Sequence, residues 1–165
     1  MHKVFLTEEE CSIIQGAQEI VEVFGGFPSM ENGELLSIEI KAHKQTRRYD
    51  VALLFDLSGW FEACSFHAKG GKGFFPYPDI QNPPFTKIKL LFEKVEGINV
   101  NDIAMSICGE IKFTNKPDYR TIVQDEHPST TPRIPRPFCG FGIRYGSQMF
   151  ISFFEEEVII SASFV

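Results

Sequence analysis

Phe24-Gly25-Gly26-Phe27-Pro28-Ser29-Met30-Glu31-Asn32-Gly33-Glu34-Leu35-Leu36-Ser37-Ile38-Glu39-Ile40 is where the chain changes character. Gly25 and Gly26 follow the last apolar residue of a helical pattern, and either suits the left-handed conformation that closes a helix. Pro28 drives Phe27 into an extended conformation, because its ring clashes with an α-helical predecessor. Asn32-Gly33 supplies a turn. Leu36, Ile38 and Ile40 then alternate with Ser37, Glu39 and Lys41, the period of a half-buried strand. The stretch is a hinge from helix to sheet.

Upstream, Thr7-Glu8-Glu9-Glu10 has the form of a capping box, with acidic residues where the helix dipole favours them. Ile13, Ile14, Ala17, Ile20, Val21 and Phe24 recur at helical spacing, predicting one helix over about residues 8–24 with a single apolar stripe. Downstream, Tyr49, Val51, Leu53, Phe55 and Leu57 alternate as a second strand, after a basic hairpin tip at Lys41–Arg48. Ile88, Leu90 and Phe92 open a third. Ile103, Met105 and Ile107 form a fourth that continues through Ile111 and Phe113 after a bulge near Gly109.

From Ser58 to Pro84 the pattern dissolves into a long aromatic loop containing Trp60, Phe74, Phe75 and Tyr77. Asn115 to Pro137 reads as a polar, proline-rich crossover with a short strand at Tyr119–Val123. Phe141, Ile143 and Tyr145 lead into Gly146-Ser147, a Gly-first hairpin loop, and Met149, Ile151 and Phe153 return. Glu155-Glu156-Glu157 makes a second reversal before Val158, Ile160, Ala162 and Phe164, a strand expected to be paired inside the sheet. The fold expected is α+β in a single domain, 1–165. Its N-terminal helix packs on a mainly antiparallel sheet of roughly six to eight strands, curved or sandwich-like, within a β-rich 34–165.

Composition bounds the function. With 165 residues, 43% of them hydrophobic and 17 Phe, the chain can bury a core without a metal or disulfide staple. Cys11, Cys64, Cys108 and Cys139 are far apart without a CxxC pair, so they read as reduced thiols. The net charge of −6 argues against nonspecific nucleic-acid binding and is compatible with a basic protein partner. No secretory leader and no membrane-length apolar run is legible, which makes a cytoplasmic protein the expectation.

No residue pattern specifies chemistry. His67 follows Cys64 at ligand-like spacing, but no second pair completes a zinc site. Gly70-Gly71-Lys72-Gly73 lacks the phosphate-loop pattern, and no GxSxG elbow is present. No catalytic residue, metal or cofactor is expected. A small enzyme or ligand-binding domain, with its pocket under the 58–84 loop, is the alternative to a binding protein.

The phrase Phe24–Leu35 resembles one typical of the immunity protein 50 family, bacterial proteins thought to protect cells from polymorphic toxins. That phrase has the form F-G-x-W-P-S-F-H-D-A-E-V, and Phe24, Gly25, Pro28, Ser29 and Glu34 match it as they stand. Phe27 and Met30 replace the usual Trp and Phe, Glu31-Asn32 replaces His-Asp, and Gly33 replaces Ala. The resemblance implies a non-catalytic protein that binds and neutralises a cognate toxin. Two contact surfaces compete: the aromatic loop with Trp60, Phe74, Phe75 and Tyr77, and the acidic reversal Glu155, Glu156 and Glu157. Interface energy concentrates in buried aromatics, so the loop is favoured if its rings are exposed. Trp60, which directly follows a strand, is better suited to filling the core.

Overall fold

The computed structural model describes residues 4–70, 85–101, 106–114, 138–143, 148–153 and 158–165, with backbone alone at 65–70, 101 and 148. The chain order is α1 (Glu8–Ser12), β1 (Ile14–Gln15), α2 (Ala17–Phe24), β2 (Glu34–Ala42), β3 (Tyr49–Asp56) and α3 (Ser58–Gly70). Then come β4 (Lys87–Val95), β5 (Gly97–Asn101), β6 (Ile111–Thr114), β7 (Gly140–Ile143), β8 (Gln148–Ser152) and β9 (Ile159–Phe164). The strands form a five-stranded sheet, β1-β9-β4-β3-β2, and a four-stranded sheet, β5-β8-β7-β6. Every pairing is antiparallel except the short parallel contact of β1 with β9. The α+β class holds, and the last strand does lie inside its sheet.

The expected helix over 8–24 is instead two helices separated by a strand. Thr7 and Glu10 form the capping box of α1: Thr7 Oγ1 accepts from the Glu10 N–H at 3.1 Å, and the Thr7 N–H donates to Glu10 Oε1 at 3.0 Å. Gly16, at φ +81°, then breaks the helical run in a left-handed conformation that a side chain resists. A Cβ there would strike the Ala162 carbonyl oxygen of β9. This close approach lets Ile14 and Gln15 pair with Ile160 and Ser161. Apolar spacing alone does not reveal it, because Ile14 is buried in either arrangement.

One face of the large sheet carries Val51, Leu53 and Phe55 of β3, Ile88, Leu90 and Phe92 of β4, and Ile160 and Ala162 of β9, all buried. Ala17, Ile20 and Phe24 are the buried side of α2, and Phe24 meets Phe164 of β9 edge-on at 5.7 Å. The two sheets share one core, with Phe92 and Phe141 ring centroids 4.9 Å apart. Each buried Val, Leu, Ile or Phe side chain among them stabilises the fold by roughly 1.5–3 kcal/mol.

The sheets are also joined through the backbone. β4 passes into β5 at Glu96, whose N–H donates to the Ser152 carbonyl. Just before this corner Lys94 takes φ +61°, and its N–H is held by Asp50 Oδ1 at 3.0 Å. The register of β3 and β4 shifts between Tyr49 and Val51, opposite this corner. On the other side, residues 106–111 bond to the segment 29–35: Leu35 N–H to the Ser106 carbonyl, Cys108 N–H to Gly33, Asn32 N–H to Cys108 and Ile111 N–H to Ser29. Ile107, expected within a strand, makes only an isolated bridge to Glu34.

Residues 58–70, expected to be loop, form α3. Asp56 Oδ1 accepts from the Ser58 N–H at 2.8 Å and the Ser58 hydroxyl at 2.6 Å, which satisfies the start of the helix. Trp60 and Cys64, one turn apart, are its buried side. The strand at 119–123, the hairpin loop at 146–147 and the Gly/Lys cluster at 71–73 lie outside the described residues.

Candidate interaction surfaces

The hinge that carries the family resemblance is mostly interior. Gly25 closes α2 at φ +80°, its N–H bonded to the Val21 carbonyl. Phe27, Ser29 and Met30 are fully buried, and Pro28 bridges to Phe5. The Ser29 N–H donates to Val4 and its carbonyl accepts from Ile111, so this residue ties the N-terminal segment to β6. Met30 and Asn32 both take left-handed backbone, at φ 64° and 63°, around the Gly33 N–H to Met30 carbonyl bond. Glu34 accepts from the Ser106 hydroxyl at 2.9 Å. Thus Phe24, Gly25, Pro28 and Glu34 each have a structural task. Ser29 Oγ differs: it is buried without a hydrogen-bond partner among the described residues.

Trp60 is 2% exposed, which corrects its place on the candidate contact surface. Its ring lies 5.9 Å from Phe5, 6.3 Å from Phe24 and 5.2 Å from Phe61, so it fills the space between α2, α3 and the N-terminal segment. Aromatic packing of this kind adds about 0.5–1.5 kcal/mol per pair beyond area burial. Phe74, Phe75, Tyr77, Glu155, Glu156 and Glu157 lie outside the described residues.

Two buried thiols are chemically quiet. Burial pushes the Cys64 thiol up to about 12, with the Glu31 carboxylate adding to the effect. Burial also raises Cys108 to about 12, against a backbone hydrogen bond from Leu35 that lowers it. Burial thus favours the protonated, less nucleophilic thiol at both positions. Among the described residues no group of three or more His, Cys, Asp or Glu side chains is placed to hold a metal ion. No helix among them is long and apolar enough to cross a membrane.

Two surfaces went unread in the sequence. The first is acidic: no Lys, Arg or His occurs between Lys3 and Lys41, while Glu8 and Glu9 of α1 and Glu19 and Glu22 of α2 are exposed. The signal was present as a one-sided charge count over the helical segment. Glu10 belongs to the same run but is buried, its Oε2 accepting from the Phe113 N–H of β6 at 3.1 Å. The second is the outer edge of β2, where Leu36 is 41% and Ile40 47% exposed. Alternation suggested that these residues were covered; Leu36 falls at the register shift between Leu35 and Ser37, which takes it out of the core-facing series, and Ile40 lies on a strand without a lateral neighbour there among the described residues.

No protein-family model, no curated protein and no solved structure matches the chain.

Proposed function

We propose that this chain is a non-catalytic bacterial immunity protein that binds and neutralises a cognate toxin domain in the cytoplasm. The observation that carries this reading is the set of exposed helical carboxylates, Glu8, Glu9, Glu19 and Glu22, in a 4–40 segment whose sequence holds no cation. Charge of one sign on exposed helices attracts a basic partner and speeds encounter. Proteins that act on nucleic acid carry such basic faces, because they must neutralise phosphates. The phrase Phe24–Leu35 supports the same reading through its resemblance to the immunity protein 50 family.

The test is co-purification with the product of the adjacent gene, together with rescue of growth when that product is expressed. A complex that protects cells is expected. Replacing Glu8, Glu9, Glu19 and Glu22 with Lys should slow association by roughly 10- to 100-fold at low salt and flatten its salt dependence. A partner whose association rate ignores these four changes would remove the acidic surface from the mechanism. Absence of any complex or protection would overturn the immunity reading itself.

A further inference from the structure

We propose that the outer edge of β2 is a self-pairing surface, through which two copies of the chain join antiparallel about a twofold axis at Ile40. This inference rests on the geometry of one strand and goes beyond the toxin-binding reading.

Among the described residues, the outer side of β2 is occupied only at its start. Leu35 donates to the Ser106 carbonyl, and Glu34 bridges to Ile107. From Ser37 to Ala42 no strand pairs with this side among the described residues. The direction of the backbone groups there is set by the hairpin. The His43 N–H donates to the Arg48 carbonyl, hence towards β3. Beyond the register shift at residues 35–37 the pairing with β3 is regular, so the N–H groups of Ser37, Glu39 and Lys41 also point to β3. Those of Ile38, Ile40 and Ala42 point outward, as do their carbonyls.

A second β2 laid antiparallel on this edge meets few acceptable registers. Centring on Ile40 sets the outward groups of Ile38 against those of Ala42, and those of Ile40 against its own copy. Glu39 then falls opposite Lys41, and Lys41 opposite Glu39. Both pairs occupy non-hydrogen-bonded sites, where facing Cα atoms come within about 4.5 Å and side chains interact most closely. Centring on Glu39 places like carboxylates face to face, and centring on Lys41 does the same with ammonium groups. Centring on Ile38 requires Leu35, whose outward N–H is already bonded to Ser106.

The side chains suit the same arrangement. Glu39 and Lys41 already pair within the strand at 2.7 Å, with side chains 56% and 72% exposed. Joining two copies converts this pair into an alternating square of four charges. Ile40, 47% exposed, meets its symmetry mate, and half-buried Ile38 gains Ala42 beside it. A long edge strand with exposed apolar residues is otherwise a hazard for uncontrolled pairing. A closed twofold contact removes it.

Sedimentation equilibrium of the full chain, over a concentration series reaching about 0.5 mM, tests the proposal. The wild-type protein is expected to shift from the 18.8 kDa monomer towards twice that mass. Glu39→Lys and Lys41→Glu should each weaken association by at least about tenfold, equivalent to about 1.4 kcal/mol. The double exchange E39K/K41E should restore it, because the crossed pairs are again opposite in sign. Ile40→Pro should abolish association with far-ultraviolet circular dichroism retained, since the N–H it removes faces away from β3. A wild type that stays monomeric throughout would overturn the proposal. So would a dimer indifferent to the single exchanges, or one that the double exchange fails to restore.

Discussion

β2 and β3 lie side by side, carry similar apolar–polar alternation, and end in different environments. Val51, Leu53 and Phe55 of β3 are fully buried. Their register partners on β2 are Ile40, Ile38 and Leu35, which are 47% exposed, half-buried and 6% exposed in turn. The gradient follows the lateral neighbours. β3 has β4 on its far side along its length, whereas among the described residues β2 is flanked only at Glu34 and Leu35, by residues 106–108. Alternation reports which residues share a face; the neighbouring segments decide whether that face is dry.

The sharpest way to break this comparison is to truncate one residue on each strand. Phe55→Ala should destabilise the fold by about 3–5 kcal/mol, the usual cost of emptying an aromatic site in a packed core. Ile40→Ala should change monomer stability by no more than about 0.5 kcal/mol, because its side chain is already close to half exposed. Urea denaturation at low protein concentration measures both, with a constant m-value confirming that the shifts are in stability. Similar costs at the two positions would show that β2 is covered as fully as β3.

The opposite end of the same sheet provides a second contrast. β9 avoids an open edge because β1 pairs with it, and beside β1 Gly16 approaches Ala162 so closely that a Cβ would meet its carbonyl oxygen. Gly16→Ala should therefore cost roughly 2–4 kcal/mol, combining left-handed backbone strain with displacement of the Ala162 carbonyl. Hydrogen exchange should show the loss first at the β9 amides that face β1. Unchanged protection there would mean that the two-residue pairing contributes little.

These contrasts explain what could be read without coordinates. Signals confined to a few adjacent residues were legible: the Thr7–Glu10 capping box, a left-handed close of the helix at Gly25 or Gly26, which Gly25 takes, a turn at Asn32-Gly33, and the core faces of β3 and β4. Features decided by distant chain were not. The turn at Gly16 lies against a carbonyl in β9, and the strand expected to continue past Gly109 is instead a non-strand segment at 108–110 tied to residues 29–35, while the register shifts fall at Leu35/Ser37 and Tyr49/Val51. α3 was hidden because its cap lies upstream, in the strand residue Asp56, while Gly59 and dense aromatics resemble a loop. Trp60 meets the condition set for it on the core side: the ring was a contact candidate only if exposed, and Phe5, Phe24 and Phe61 enclose it.

Asp56 offers the smallest effect and tests the start of α3 directly. It ends β3 between Glu34 of β2 and Lys87 of β4. The Ser58 hydroxyl first, then the Ser58 backbone N–H, hold its carboxyl below the usual aspartate range, with the Lys87 charge assisting. A carboxylate favoured in the folded state contributes stability above its unfolded-state pKa, and that contribution disappears as pH falls through the lowered folded value. Asp56→Ala should cost about 1 kcal/mol at neutral pH, the typical worth of a helix-capping side chain. Asp56→Asn keeps an acceptor for Ser58 and should lose only a fraction of that. The gap between wild type and the Asn variant should close below the normal aspartate range, where both present neutral side chains. Denaturation midpoints of the three proteins at neutral and strongly acidic pH measure the difference. A gap that stays constant with pH would show that the charge on Asp56 contributes nothing, leaving neutral hydrogen bonding to Ser58 to hold the first turn of α3.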